Sequence, residues 1–304
     1  MGEFDKHFEL DYNRFDRPLS KREIIRGIRK ADGLISMLSD SIDKDVIAAG
    51  PNLKIIANYA AGYNNIDVKA ASERGIVVTN TPGVLTETTA DLTWALILSA
   101  ARRIPEAEQL VRSGKWTGWA PTQFLGGDVY GKTLGIIGMG RIGKAVAHRA
   151  VGFSMKVIYT SRHRLPIQEE KQLSAQYRPL SQVLSEADFV SLHLPLTEES
   201  HHLIDQKALY QMKRTAFLIN TARGPIVDEK ALIQALKEKR ITGAGLDVFE
   251  EEPSVSARLR KMKSVALLPH IGSASGETRV RMGLMVLENL LAFFTGKKPP
   301  NQVN

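Results

Sequence analysis

Short apolar runs alternate with segments of helical periodicity along most of the chain. In the second half, the apolar runs predict β-strands at residues 155–160, 188–193, 216–220, 244–248 and 265–268. Because strands that alternate with helices form a mostly parallel sheet with helices on both faces, the pattern predicts an α/β fold with a doubly wound parallel sheet.

A smaller α/β unit is predicted before this sheet, from apolar runs at residues 33–38, 53–59 and 76–79. We expect the chain to cross between the two units near residues 80–82 and 270–272. The last long helix, at about 274–294, would then return to the smaller unit. The predicted domains are therefore residues 1–80 with 271–304, and residues 81–270.

A glycine-rich turn follows an apolar strand in the sequence TLGIIGMGRIG, and the residues after it have a helical pattern. In this setting Gly138 permits a tight turn, Gly140 lets the backbone approach a pyrophosphate, and Gly143 lets the helix pack closely on its strand. The helix N-terminus would offer N–H groups and a positive dipole end to the phosphates. The motif predicts a dinucleotide-binding domain of the Rossmann type.

The end of the next strand indicates which dinucleotide binds. NAD-binding units carry an acidic residue there for the ribose 2′-hydroxyl, whereas arginine accommodates the 2′-phosphate of NADP. No acidic residue occurs here between Asp128 and Glu169, and the strand is followed by Ser161, Arg162, His163 and Arg164. Either arginine would bind a phosphate through paired hydrogen bonds. We expect NADP(H) to be preferred, with NAD(H) as an alternative cofactor; a basic surface loop without a ligand is the other interpretation.

Composition excludes several classes of protein. The 304 residues include 43% hydrophobic residues and no cysteine, so disulfides and thiolate metal sites are excluded, in keeping with a reducing cytoplasm. The longest apolar stretch, 92–101, is too short to span a membrane. The net charge of +8 is scattered, so we expect no nucleic-acid partner; an anionic cofactor and substrate explain it equally well. We also expect no metal, because His201 and His202 are adjacent and face different ways.

Three polar residues follow predicted strands at the carboxyl end of the sheet, where ligands bind in open α/β folds. They are Arg223 in INTARG, Glu252 in GLDVFEEEP and His270 in LLPHIGSAS. Reduction of a 2-oxo acid needs a cation for the carboxylate, an acid for the carbonyl oxygen, and a group that keeps this acid protonated. Arginine, histidine and glutamate suit these tasks. Taken singly, each also suits a structural role as a surface ion pair, a loop histidine or a solvated carboxylate.

These residues resemble the D-isomer-specific 2-hydroxyacid dehydrogenases, and within that family the glyoxylate/hydroxypyruvate reductases. The resemblance covers nearly the whole chain, in the same order and spacing. It rests on NYAAGYNNID (58–67), NTPGVLTETTADLTWALIL (80–98), GIIGMGRIGKAVA (135–147), SLHLPLTEESHHLI (191–204), LINTARGPIVDEKAL (218–232), GAGLDVFEEEP (243–253) and LPHIGSAS (268–275).

The resemblance implies roles for individual residues. His270 would be the acid/base, Glu252 its partner and Arg223 the anchor of the substrate carboxylate. Further substrate contacts are implied for Leu38, for the backbone amides of Ala61 and Gly62, and for Trp119. Cofactor contacts are implied for Gly138, Gly140, Arg141, Ile142, Gly143, Ser161, Arg162, His163, Arg164, Pro195, Thr221, Ala222, Asp247 and Gly272.

In the reductase subgroup a tryptophan of the segment matching KWTGWAP (115–121) reaches the partner subunit's active site. Trp119 is the candidate here, with Trp116 second, and a plain hydrophobic dimer contact is the alternative. The resemblance thus implies a cytoplasmic homodimer that reduces glyoxylate or hydroxypyruvate to the D-2-hydroxy acid with NADPH. Two other interpretations stay open: a dinucleotide-sensing protein like the corepressors of this family, and a phosphoglycerate dehydrogenase.

One departure from the family pattern concerns the start of the chain. Family members open with a β-strand, a loop and a helix before the segment that matches residues 8–12. The smaller unit, flavodoxin-like by resemblance, is therefore expected to lack its first strand. Since such a strand is usually interior in a parallel sheet, we expect the native start to lie upstream of Met1.

Overall fold

The computed structural model describes residues 2–15 and 17–304. The chain divides into two compact units, Met1–Leu85 with Ala274–Asn304, and Thr86–Ser273. We call them the smaller unit and the larger unit. The sequence predicted domain boundaries after residues 80 and 270, a few residues before the boundaries in the structure, which follow Leu85 and Ser273.

The described part of the smaller unit contains a parallel sheet of three strands in the order β1-β2-β3. The strands are β1 (Gly33–Ser36), β2 (Ile55–Asn58) and β3 (Val77–Thr79). Its helices are α1 (Lys21–Ile28), α2 (Lys44–Ala48), α3 (Val68–Glu73) and the last helix of the chain, α12 (Gly276–Phe294).

All four side chains of β2 are buried. Because successive side chains of a strand point to opposite faces, both faces of β2 are covered. Ile56 belongs to a core cluster with residues of α1, α2 and α3. Ile55 and Ala57 belong to a second cluster with Val286 and Leu290 of α12. The three-stranded sheet is therefore covered by helices on both sides.

The larger unit, every residue of which is described, contains a parallel sheet of seven strands in the order β10-β9-β8-β7-β4-β5-β6. The strands are β4 (Thr133–Ile137), β5 (Lys156–Thr160), β6 (Ala175–Tyr177), β7 (Phe189–Leu192), β8 (Phe217–Asn220), β9 (Gly243–Leu246) and β10 (Val265–Leu267). The helices are α4 (Thr86–Arg102), α5 (Ile104–Arg112), α6 (Arg141–Ala150), α7 (Ile167–Gln172), α8 (Leu180–Glu186), α9 (Gln206–Gln211), α10 (Glu229–Lys237) and α11 (Ala257–Arg260), with 3₁₀ turns at Val151–Phe153 and Gly224–Ile226.

The strand order reverses between β4 and β7, as in a doubly wound dinucleotide-binding sheet, where the ligand crevice opens at the carboxyl ends of the strands. The predicted α/β fold class is confirmed. Each predicted strand is longer than the observed one, and β6 was missed. This strand has only three residues at the sheet edge and one buried side chain, so it lacks an apolar pattern.

Candidate active site

The glycine-rich turn joins β4 to α6. Gly138 has a left-handed φ of 99°, and a Cβ atom there would lie 2.6 Å from the carbonyl carbon of His193. A Cβ atom at Gly143 would collide with the carbonyl oxygen of Gly138. Gly140 differs, because no described neighbour lies within 4 Å of its Cβ position. The fold therefore requires the first and third glycines, whereas the second leaves open space.

This open space lies at the N-terminus of α6. Gly140 is the N-cap residue, and no described side chain caps the helix. The N–H groups of Arg141, Ile142 and Gly143 have no acceptor within the helix, since the first turn leaves them without one. Uncapped N–H groups and the helix dipole favour an anion. The residues present therefore fit the pyrophosphate of a dinucleotide.

The turn after β5 carries the residues expected to choose between NAD and NADP. Ser161 is half-buried, and Arg162 and His163 are exposed. Arg164 donates two hydrogen bonds of 2.9 Å, from Nε and Nη2, to the carboxylate of Glu170. Arg162 has no hydrogen bond or ion pair to any described residue. The two arginines, equivalent in the sequence analysis, thus differ in their surroundings.

His270 and Glu252 form a direct pair. The His270 Nδ1 atom lies 2.7 Å from Glu252 Oε2, and the other oxygen, Oε1, accepts a 3.0 Å hydrogen bond from the N–H of Phe249. Burial acts to raise the pKa of Glu252. The hydrogen bond and charge of His270, the Phe249 N–H and the charge of Arg223 outweigh burial and hold this pKa below its ordinary value. The carboxylate is therefore ionised and fixed on two sides.

Arg223 lies in the loop after β8, near enough to Glu252 for their charges to interact. Burial lowers the pKa of Arg223, and the charge of Glu252 opposes this. The side chain of Asn220 shapes the loop, because it donates to the Arg223 carbonyl at 2.9 Å and accepts from the Ala222 N–H at 3.0 Å. The structure therefore brings Arg223, Glu252 and His270 together after three adjacent strands, β8, β9 and β10.

Asp247 fixes the segment that carries His270. Its carboxylate is buried and accepts hydrogen bonds from the N–H groups of Ile271 and Gly272, both 2.8 Å long. The backbone N–H of His270 donates to the Asp247 carbonyl oxygen at 2.8 Å. Burial is the main cause that raises the pKa of Asp247. This aspartate thus positions the His270 segment through three hydrogen bonds from backbone N–H groups.

The remaining cofactor candidates lie at the same edge of the sheet. Thr221, nearly buried, shares a 2.9 Å hydrogen bond with the hydroxyl of Thr93. The backbone carbonyl of Gly272 accepts a 3.0 Å hydrogen bond from Thr89. Pro195 is exposed after β7, and Ala222 is half-buried beside Arg223.

The substrate candidates of the smaller unit form a separate group. The Asn80 and Asn58 side-chain amides donate to the carbonyl oxygens of Ala61 and Gly62, at 2.6 and 2.8 Å. In the described chain, the N–H groups of Ala61 and Gly62 have no acceptor, which suits a carboxylate ligand. Leu38 is half-buried and lines a cavity of about 400 Å³ in the same unit.

Trp119 and Trp116 lie on the surface of the larger unit, with 82% and 55% of their areas exposed. The neighbouring helix α5 has no buried residue among those described, although Ile104 and Val111 are apolar. The two tryptophan candidates and these two apolar residues of α5 are therefore each exposed in the single chain.

Sequence reasoning missed Glu170, Tyr159 and Asn220, all of which shape loops that carry candidate residues. A signal existed for Asn220, because an asparagine at the end of a strand commonly forms hydrogen bonds with the next backbone groups. No such signal marked Glu170, which is one acidic residue in a segment of helical pattern. Such residues are usually solvated.

Two histidines of this region, His193 and His202, have hydrogen-bond partners of their own. His193 Nε2 lies 2.8 Å from the Ser191 hydroxyl, and burial lowers the pKa of His193 to about 3. His202 Nε2 lies 2.8 Å from Glu250. Within the described residues, no three His, Cys, Asp or Glu side chains form a metal-binding group, and no helix is long and apolar enough to cross a membrane.

Comparison with known proteins gives a consistent result. Residues 94–272 match the family described as D-isomer specific 2-hydroxyacid dehydrogenase, NAD binding domain. The chain is 56% identical over 306 residues to a glyoxylate reductase of Korarchaeum cryptofilum, covering 100% of this chain and 92% of that protein.

Two solved structures are also similar. A protein from Thermus thermophilus is 47% identical with a TM-score of 0.89, covering 95% of this chain and 91% of that one. An NADPH-dependent glyoxylate/hydroxypyruvate reductase from Sinorhizobium meliloti, solved with NADP and malonate, is 37% identical with a TM-score of 0.84, covering 91% of this chain and 85% of that one.

Proposed function

Because this chain belongs to the D-isomer-specific 2-hydroxyacid dehydrogenase family, and is therefore an NAD(P)-dependent oxidoreductase, we propose that it reduces glyoxylate or hydroxypyruvate to the 2-hydroxy acid with NADPH. The observation that carries the proposal is the 2.7 Å contact between His270 and Glu252, next to the charge of Arg223. When bound, the nicotinamide supplies the hydride for the carbonyl carbon. The chain supplies the proton and holds the substrate.

His270 is the general acid in this proposal. Nδ1 donates to the ionised Glu252, so the ring keeps one orientation and Nε2 is available to the substrate's carbonyl oxygen. As negative charge develops on that oxygen, Nε2 gives up its proton, and Glu252 stabilises the protonated ring beforehand. In the reverse direction His270 accepts the proton from the 2-hydroxyl group.

Arg223 binds the substrate carboxylate through its guanidinium group, which suits the two oxygens of a carboxylate. The N–H groups of Ala61 and Gly62 stay proposed as donors to a substrate. Leu38 and Trp119 are proposed to limit the size of the substrate's side chain. The exposed side chain of Trp119 supports a homodimer, and a cytoplasmic location stays part of the proposal.

NADP(H) is proposed as the preferred cofactor, with NAD(H) as an alternative. The support is the exposed Arg162 after β5 and the absence of an acidic residue at the end of that strand. The NADP complex of the similar Sinorhizobium meliloti reductase is consistent with this preference.

The test is oxidation of NADPH and of NADH, followed by absorbance, with glyoxylate, hydroxypyruvate and pyruvate. His270→Ala should lower kcat with NADPH by roughly 10²–10⁴-fold, the usual contribution of general acid catalysis, and should leave NADPH binding in calorimetry intact. His148, an exposed histidine of α6 with no proposed role, provides a matched histidine control. Tight NADPH binding without turnover of any 2-oxo acid would contradict the proposal and favour a dinucleotide-sensing protein.

A further inference from the structure

Three side chains form a cluster behind the turn that follows β5, in which Tyr159 and Glu170 are buried and Arg164 is exposed. Tyr159 on β5 donates from its hydroxyl to Glu170 Oε1 at 2.7 Å, and Arg164 in the turn binds both oxygens of Glu170. The Tyr159 hydroxyl also accepts a 2.8 Å hydrogen bond from the N–H of Leu165. We call this the Tyr159–Glu170–Arg164 cluster. It joins the strand, the turn and helix α7 on either side of Ser161, Arg162 and His163.

The charge within the cluster is balanced. Only 6% of the Glu170 side chain is exposed, and a buried carboxylate is costly unless it is paired. The hydrogen bonds from Arg164 and then Tyr159 lower the pKa of Glu170 to about 2, so the group is ionised. Burial, followed by Glu170, raises the pKa of Tyr159 to about 12. The cluster therefore contains one cation, one anion and a neutral phenol.

The other acidic group of this helix is also paired, because Lys144 of α6 binds Glu169. Arg162 is exposed, as Arg164 is, but it has no hydrogen bond to any described residue. Its charge contributes a small part to the lowered pKa of Glu199, for which the hydrogen bond from Thr197 is the main cause. Of the two arginines in the turn, Arg162 is thus the one whose guanidinium remains available to a ligand.

We infer that the two arginines divide the recognition of the NADP 2′-phosphate. Arg162 contacts the phosphate, whereas Arg164 is a positioning residue that neutralises Glu170 and, with Tyr159, holds the turn in its shape. Without Arg164, the ionised Glu170 would repel the negatively charged phosphate and release the turn. This inference rests on the NADPH preference proposed above and assigns cofactor selectivity to Glu170 and Tyr159, which do not contact the cofactor.

A double-mutant cycle tests this division, with NADPH and NADH binding measured by calorimetry. Arg162→Ala should weaken NADPH binding roughly 10- to 100-fold, the loss of a charge-assisted hydrogen-bond pair, and change NADH binding little. Arg164→Ala should weaken NADPH binding about tenfold because Glu170 is left unpaired. Adding Glu170→Gln should restore NADPH affinity to within about threefold of the wild type, since the repelling charge is removed. Lys171→Ala, which removes an exposed cation from the same helix, is the matched control.

If Arg164 itself binds the phosphate, the double variant will stay as weak as Arg164→Ala, and the inference is wrong. Tyr159→Phe gives a second test that leaves all charges in place: NADPH affinity should fall about fivefold, the effect of one hydrogen bond, and NADH affinity should not. If Tyr159→Phe weakened NADPH and NADH binding equally, that result would also overturn the inference. Equal losses for both cofactors in Arg162→Ala would instead remove the proposed NADPH preference. Thermal unfolding of each variant identifies any that do not fold.

Discussion

Replacement of Gly224 by alanine should separate catalysis from cofactor binding. Gly224 directly follows Arg223, and a Cβ atom there would lie 1.8 Å from the carbonyl oxygen of Phe249. Real Cβ atoms essentially never approach another atom within 3.0 Å. The carbonyl group would have to retreat by about 1.2 Å, and it cannot rotate away as a flexible side chain would, because it belongs to the backbone.

This retreat would move the Glu252 carboxylate. The N–H of Phe249 donates to Glu252, so the displaced backbone carries Glu252 away from its 2.7 Å contact with His270. A misplacement of about 1 Å in a catalytic group costs roughly 100-fold in rate. We expect Gly224→Ala to lower kcat by about this factor and to lower the free energy of unfolding by about 1–3 kcal/mol. NADPH binding should persist, because the glycine-rich turn lies after a different strand, β4.

The assay combines steady-state kinetics with glyoxylate, calorimetry with NADPH and urea unfolding. Gly152→Ala is the matched control, since no described neighbour lies within 4 Å of its Cβ position. A Gly224→Ala enzyme with the kcat of the wild type would refute the reasoning. It would show that the loop carrying Glu252 adapts without moving the carboxylate.

Three further predictions concern other parts of the larger unit. Gly138→Ala should abolish NADPH binding in calorimetry, because it places a Cβ atom 2.6 Å from the carbonyl carbon of His193 at a left-handed φ; retained affinity would contradict this. Asp247→Ala should lower the free energy of unfolding by roughly 3 kcal/mol and also lower kcat, because the Ile271 and Gly272 N–H groups lose their charged acceptor; unfolding in urea and glyoxylate kinetics measure the two effects. The pKa of Glu170, lowered from 4.5 to about 2, contributes stability that is present above about pH 4.5 and is lost as pH falls toward about 2. The difference in free energy of unfolding between wild type and Glu170→Gln should therefore shrink between about pH 6 and pH 3, and a constant difference would contradict the assigned pairing.

The sequence was sufficient where local pattern and local chemistry coincide. Strands β7, β8 and β9 are buried on both faces, so their sequences are mostly apolar and stand out from the helices. Gly143 is required by its contact with the backbone of Gly138, and Gly138 by its contact with the backbone that follows the neighbouring strand β7. The spacing of the glycines already indicates both requirements. The meeting of Arg223, Glu252 and His270 followed from their positions after adjacent parallel strands.

The sequence was insufficient where a side chain's partner is chosen by tertiary packing. Nothing in the order of residues distinguishes Arg164 from Arg162, and the difference arises because α7 brings Glu170 to one of them. His270 adopts a left-handed φ of 56°, a conformation that a non-glycine residue rarely adopts and that no local pattern signals. Asp247 was expected to contact the cofactor, yet its hydrogen bonds with the N–H groups of Ile271 and Gly272 could be identified only from the structure.

The smaller unit is formed by two separate segments of the chain, and this affects how the protein folds during synthesis. During synthesis, β1, β2 and β3 leave the ribosome first, but the buried partners of Ile55 and Ala57 on α12, Val286 and Leu290, are translated only near the end. The last residues complete the same unit, since the N–H of Val303 donates to the carbonyl oxygen of Val78 at 2.9 Å. The larger unit, encoded by one uninterrupted stretch, can finish folding while its neighbour waits as a nascent chain with an exposed apolar face. Chaperone dependence in the cell should therefore centre on the part of the protein that is translated first.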